Sequence, residues 1–260
     1  MAQLARHKPS PEIRISLRDF AIGKAFQYEL KRALASDNFR RAMSALPPYQ
    51  ALVGSEILLD GRLALFHRKQ RWLAVADLHF GYELSQRAAG RLLPMWGMTS
   101  IEERLQQLLA DYRPRHLVIV GDVVHDRAAA TEVRGLIERL ALRCEVIVLA
   151  GNHDRQLADA LVLQDSWRSK GFYFHHGHCV AEVTDAIQVI GHHHPAGSIT
   201  DGAGLRLKLP AFVQQANCWI LPAFSPWAAG TSWEADAHSH MWLCTPQRIL
   251  RLPLMETAAG

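Results

Sequence analysis

Trp72-Leu73-Ala74-Val75-Ala76-Asp77-Leu78-His79 is an apolar run that stops on a carboxylate and an imidazole two residues apart. Five apolar residues are too few for a helix and suit a strand buried on both faces. The arrangement recurs twice. His116–Val120 runs into Gly121-Asp122, and residues 145–150 run into Gly151-Asn152-His153-Asp154. Each run is followed by a short polar loop and a helical stretch. Thr99 and Ser100 with Glu102 and Glu103 offer a capping box for a helix to about Tyr112, and residues 131–142 form a second helix candidate. Strand, loop and helix in repetition predict an α/β unit, and in such units the carboxyl ends of the strands form the ligand crevice.

Working outward, residues 55–59 and 62–67 flank Asp60-Gly61, which predicts a hairpin with the Asp-Gly pair as its turn. Beyond about Ser166 the pattern changes to short strands, expected at 172–175, 186–190, 205–209, 218–221, 240–244 and 248–252. An α/β first half therefore runs into a β-rich second half. We divide the chain into a basic helical extension over 1–48, ending at Pro47 and Pro48, and one domain over 49–260.

The 260 residues are 49% hydrophobic, enough for one large core, and carry a net charge of +4. Residues 1–45 hold nine Lys or Arg and four Asp or Glu, an excess of +5, which leaves about −1 for the remainder. The basic character thus belongs to the extension, where Arg18, Lys24, Lys31, Arg32, Arg40 and Arg41 interleave with a broken helical pattern. It reads either as a helical pair with a solvated basic face or as an arm for nucleic acid or another anionic partner. No run approaches the length of a membrane span, and Met1 to Ser10 lacks the apolar core of a secretory signal, so a cytoplasmic protein with no membrane partner is expected. Cys144, Cys179, Cys218 and Cys244 are scattered, without the spacing of a disulfide framework or a zinc knot, and are read as reduced, mostly buried thiols.

The chemistry lies after the apolar runs. In an extended segment residues two apart point the same way, so Asp77 and His79 can grip one ion. Gly121 lets the chain turn and bring in the Asp122 carboxylate to bridge two ions, Asn152 offers a neutral oxygen, and His153 can stand over a phosphoryl group. Two histidine clusters, His175-His176-Gly177-His178 and Gly191-His192-His193-His194-Pro195, end later apolar strands. Two Asp, one Asn and several His, with no thiolate, suit a pair of Mn²⁺, Fe²⁺, Zn²⁺ or Co²⁺ ions better than a structural zinc.

Asp77-Leu78-His79, Gly121-Asp122, Gly151-Asn152-His153-Asp154, His176-Gly177-His178 and Gly191-His192-His193-His194 resemble, in order, the five blocks of the calcineurin-like metallophosphoesterases, over roughly residues 54–225. The resemblance implies a two-sheet β-sandwich flanked by helices, with the site on loops at one edge. It implies that Asp77, His79 and His194 hold one divalent ion and Asn152, His176 and His192 another, with Asp122 bridging and His153 as the acid. Manganese comes first among the candidate metals, with iron, zinc, cobalt and magnesium as alternatives. Asp77-Leu78-His79-Phe80-Gly81-Tyr82-Glu83, Leu93-Pro94 and Leu221-Pro222-Ala223-Phe224 are similar to the bacterial phosphoesterases associated with DNA ligase genes and their archaeal nuclease-type relatives. That similarity implies DNA or a nucleotide as substrate and DNA repair proteins as partners.

One block departs from the family pattern. Where many members carry an Asp that orients the catalytic His, this chain reads Gly121-Asp122-Val123-Val124-His125-Asp126, so Asp126 or another group has to steady His153. Asp154 is a candidate for fixing a ligand imidazole by its other nitrogen. Phe80, Tyr82, Arg87, Trp96 and His125 lie near the ligand loops in sequence and are candidates for the substrate side. The function expected is a metal-dependent phosphodiesterase or nuclease. The competing readings are a phosphomonoesterase or cyclic-nucleotide hydrolase, and an inactive metal-binding scaffold.

Overall fold

The computed structural model describes residues 46–157, 159–179, 181, 183, 185–200, 204–234 and 238–253. The basic extension expected over 1–48 lies, apart from its last three residues, outside them. Two sheets face each other. The first has six strands in sequence order: β1 (Gln50–Val53), β2 (Ile57–Asp60), β3 (Ala64–His67), β4 (Trp72–Ala76), β5 (His116–Val120) and β6 (Glu145–Leu149). β1 to β4 pair antiparallel, whereas β4, β5 and β6 run parallel. Parallel neighbours need crossovers, and the chain provides α1 (Tyr82–Ala88) and α2 (Gly97–Tyr112) between β4 and β5, then α3 (Ala130–Ala141) between β5 and β6.

These helices form because their apolar residues recur on one side. Ile101, Leu105, Leu108 and Leu109 are buried along α2, and Val133, Leu136 and Leu140 along α3. The expected capping box is not used. α2 starts at Gly97, before Thr99, and its first-turn amide at Met98 is met at 2.8 Å by the buried carboxylate of Glu83 from α1. A partner distant in sequence has displaced a local one.

The second sheet holds β7 (Ser166–Ser169), β8 (Phe172–His175), β9 (Ile187–Ile190), β10 (Pro195–Thr200), β11 (Arg206–Gln215), β12 (Cys218–Ile220), β13 (Thr231–Ser232), β14 (His240–Thr245) and β15 (Arg248–Arg251). Its order is β13-β10-β11-β12-β9-β8-β7, with β14 on β11 and β15 on β14. The sheets are locked face to face by aromatic contacts: the fully buried Trp72 of β4 meets Phe172 and Phe174 of β8 edge-on, with ring centroids 5.1 and 5.0 Å apart. A smaller cluster of Ile190, Ala211, Val213, Ile220, Met241 and Leu243 forms a separate core in the second sheet. The thiols vary more than expected: Cys244 is buried, Cys144 and Cys218 are half-buried, and Cys179 is exposed.

The Asp-Gly hairpin also differs in detail. Asp60 pairs with Ala64, so the connection is the three residues Gly61, Arg62 and Leu63, closed by Leu63 N–H donating to Asp60 O at 2.9 Å. Leu63 takes the left-handed position with φ 70°, as a three-residue hairpin loop requires. Asp60 stays in the strand because its buried carboxylate is engaged. It accepts from Arg62 N (2.8 Å), Nε (3.0 Å) and Nη2 (2.8 Å), and from the Tyr112 hydroxyl (2.6 Å) at the end of α2. Burial first and the Asp60 charge second push the Tyr112 hydroxyl well above its usual range, so it remains a donor. Asp60→Ala leaves the Tyr112 hydroxyl without its acceptor, while Arg62 keeps Asp111 at 2.7 Å. We expect it to cost about 1–3 kcal/mol of unfolding free energy in a urea titration, as for a buried donor left unsatisfied; no measurable loss would show that the carboxylate is dispensable.

Candidate metal centre

Parallel pairing sets the carboxyl ends of β4, β5 and β6 level, since Ala76 lies opposite Val120 and Val120 opposite Leu149. Asp77, Asp122 and Asn152 follow within one to three residues. The sequence expectation of an extended Asp-x-His segment is not what the chain adopts. Asp77 (φ 53°), His79 (φ 41°), Asp122 (φ 44°), His192 (φ 65°) and His194 (φ 46°) all take the left-handed region. They are five of the eight non-glycine residues that do so among the described residues. Each such position costs about 1–2 kcal/mol, and strain of this kind gathers where surrounding structure imposes a functional geometry. Here the imposing contacts are visible: Asp77 N donates to Gly121 O (3.2 Å), His79 N to Asp122 O (3.0 Å) and Phe80 N to Val123 O (2.9 Å), tying the first two ligand loops together.

Glycine supplies the clearance. At Gly121 (φ 74°) a Cβ would run into the His176 imidazole, and at Gly151 it would run into the Asp122 carboxylate. The second sheet delivers the remaining side chains. His176 follows the end of β8, and His192 and His194 fill the loop between β9 and β10. The His192 N–H donates to both Asp77 carboxylate oxygens, at 3.2 and 3.0 Å, across the two sheets. After β12 the chain returns to the first sheet, where Ala223 bridges Ala76 and the amides of Phe224 and Ser225 donate to Ala76 O (2.8 Å) and Asp77 O (3.2 Å). Arg104 of α2 pins this segment from the other side, donating to Phe224 O with its guanidinium 3.7 Å from the ring centroid.

The resulting donors form two adjoining groups, Asp77, His79 and His194, and Asp122, His176 and His192, each with its ligand atoms within 4.8 Å of one another. Asn152 joins the second, its Oδ1 3.1 Å from His176 Nε2. His176 Nε2 is 3.4 Å from Asp122 Oδ2 while its Nδ1 is 3.7 Å from Asp77 Oδ1, so this imidazole touches both groups. Charge at the site is finely set. Burial raises the Asp77 carboxyl; at Asp122 burial pushes the same way, but the hydrogen bond and charge of His176 prevail and hold it at about 2. Burial lowers His79 to about 4, so its ring is neutral, with its lone pair available, at neutral pH.

These residues fit divalent cations. Asp77 and Asp122 are buried carboxylates, His79 Nδ1 is buried without a hydrogen-bond partner, and the Nε2 atoms of His79 and His194 face each other at 3.5 Å. Imidazole nitrogens and two carboxylates turned toward one space are stabilised by positive charge placed there, and the mixed nitrogen and oxygen set is that of a borderline transition metal.

The family model described as calcineurin-like phosphoesterase matches residues 71–217, which includes every residue of both groups. The chain belongs to the calcineurin-like phosphoesterases. Among solved structures it is similar to the Pseudomonas putida nuclease MPE, with 26% identity over 78% of this chain and 98% of that one and a TM-score of 0.63. No curated protein matches the chain. No described helix is long and apolar enough to cross a membrane.

This phosphoesterase keeps His153 beside the first donor group. The His153 amide donates to Asp122 Oδ1 at 3.0 Å, and its ring lies 5.7 Å from that of His79. His125 stacks on it, with centroids 5.4 Å apart and planes 22° from parallel. Neither aspartate proposed from sequence to support an imidazole does so. Asp126 is taken by the N-terminus of the 3₁₀ turn Arg127–Ala129, accepting from Ala128 N at 2.8 Å. Asp154 is fully buried and accepts from Gly151 N (2.9 Å), Val123 N (3.2 Å) and Val124 N (3.2 Å). It fastens the second ligand loop to the third. A short polar side chain adjacent to a ligand satisfies backbone amides more cheaply than a mobile ring, a preference that ligand spacing does not reveal.

A cavity of about 240 Å³ opens over the first donor group, lined by His79, Tyr82, His125, His153, His194, Ser225, Trp227 and Ala228. Tyr82 and His125, candidates for the substrate side, line this cavity. Phe80 is core, Trp96 is half exposed beside Trp227, and Arg87 is an exposed residue of the last turn of α1. Sequence reasoning missed Ser225, Trp227 and Ala228; the signal available was the continuation of Leu221-Pro222-Ala223-Phe224, already noted, into Ser225-Pro226-Trp227. Asp154→Ala should lower affinity for a divalent cation, with Mn²⁺ as the probe, by about 10–100-fold, as loss of outer supports does, with secondary structure retained. Calorimetric titration of the metal-free protein measures this, and unchanged affinity would remove Asp154 from the metal centre.

Proposed function

We propose that this phosphoesterase is a phosphodiesterase of nuclease type that works with two divalent ions, manganese first, on DNA or a nucleotide. Asp77, His79 and His194 would hold one ion and Asn152, His176 and His192 the other, with Asp122 between them. The observation that carries this is the adjoining of the two donor groups through His176 and Asp77, the first of them beneath a cavity edged by His153. Ions bound there supply Lewis acidity to phosphoryl oxygens and acidify a water. The chain's own residues do the rest. The strained loops hold the donors before substrate arrives, so little reorganisation accompanies reaction. His153 stands at the cavity edge, where a protonated Nε2 or Nδ1 gives a proton to the departing alkoxide; such an acid contributes about 10²–10⁴ in rate. His125 holds that ring by stacking, in the place where an aspartate would otherwise hold it by charge.

The DNA or nucleotide substrate is supported by the likeness to the Pseudomonas putida nuclease, nearly all of which this chain covers. With Mn²⁺, the protein should hydrolyse bis-p-nitrophenyl phosphate faster than p-nitrophenyl phosphate, and Asp122→Asn should remove the activity. His153→Ala should lower kcat about 10²–10⁴-fold. Full activity in Asp122→Asn sinks the assignment of the centre, and a faster monoester reaction redirects it to phosphomonoesters.

A further inference from the structure

Part of the cavity lining is aromatic, and it adjoins the histidines, with the Tyr82 ring centroid 4.8 Å from that of His125. Tyr82 and Trp227 both line the cavity, their rings 29° from parallel with centroids 6.2 Å apart. Trp96 continues the row, its centroid 4.8 Å from that of Trp227, and 48% of its surface is exposed. A contiguous row of aromatic rings beside a polar site is the kind of surface that marks a ligand groove.

The row is also built, since one buried carboxylate sets two of its rings. Glu83 is fully buried; one oxygen accepts from the Trp227 indole N–H at 3.1 Å and the other from Met98 N at 2.8 Å, in the first turn of the helix that Trp96 precedes. Gly97 completes the fit, because a Cβ there would run into the Trp227 indole nitrogen. A buried carboxylate shared between the start of α2 and the indole N–H fixes the orientation of that plane.

We propose that Tyr82, Trp227 and Trp96 form a stacking platform for a nucleobase next to the scissile phosphate, so that the enzyme takes its diester in single-stranded or unpaired form. This rests on the phosphodiesterase reading above. His79 and His194 of the first donor group, with His153, line the same cavity as Tyr82 and Trp227, so a base carried by a phosphate bound there has aromatic rings within reach. Bases stack on aromatic side chains whatever their sequence, and a duplex withholds that face.

The test uses the full chain with Mn²⁺ and two substrates sharing one leaving group, thymidine 5′-(p-nitrophenyl) phosphate and methyl p-nitrophenyl phosphate. Wild type should prefer the thymidine ester in kcat/KM, and Trp96→Ala should cut that preference roughly 5- to 100-fold, the range of one stacked base. Trp227→Phe, which keeps a ring but loses the Glu83 bond, should cut it less than Trp227→Ala. A wild type without preference, or a Trp96→Ala that loses both reactions equally, overturns the platform while leaving the phosphodiesterase intact. Hydrolysis of neither diester overturns the functional reading itself, and the platform with it.

Discussion

Two buried carboxylates at the ends of adjacent parallel strands are the constraint from which the rest of this molecule follows. Asp77 and Asp122 leave neighbouring strands at the same level and are desolvated by the two sheets closing over them. Unaccompanied, such a pair would repel and protonate. Nearly every unusual feature nearby answers that problem: the His192 amide on Asp77, the His153 amide on Asp122, His176 between them, and left-handed backbone that turns imidazoles inward. The fold places negative charge where it is costly, and the surrounding donors make that placement tolerable until a cation completes it.

The same logic separates what the sequence disclosed from what it withheld. β4 and β5 were legible to the residue and β6 to within one, since a short apolar run ending at Asp77, Gly121-Asp122 or Gly151-Asn152 has one reading. α2 and α3 were legible from periodicity. The donor residues were legible as residues, because chemistry names them, but the route by which they converge was not. Alternation in a strand would bring Asp77 and His79 together; the chain instead uses two left-handed turns, whose cost is met by hydrogen bonds to a loop more than forty residues further on.

Distant partners also account for the other differences. The capping box at Thr99 was a sound local signal displaced by Glu83, and the two-residue Asp-Gly turn gave way because Asp60 had better partners in Arg62 and Tyr112. Trp227 was missed because its role depends on a carboxylate 144 residues away. Local rules hold until a buried charged group offers the backbone something stronger.

The His192 to Asp77 hydrogen bond spans 115 residues and joins the two sheets, and each donor group draws its members from both sheets. Contacts of such sequence separation close late in folding, after the entropy of a very long loop has been spent. An ion that binds only the assembled set therefore acts on the global equilibrium, adding about 2.7 kcal/mol of stability at a free concentration one hundred times its Kd. The mineral supply of the cell would then govern how long the protein survives as well as how fast it works.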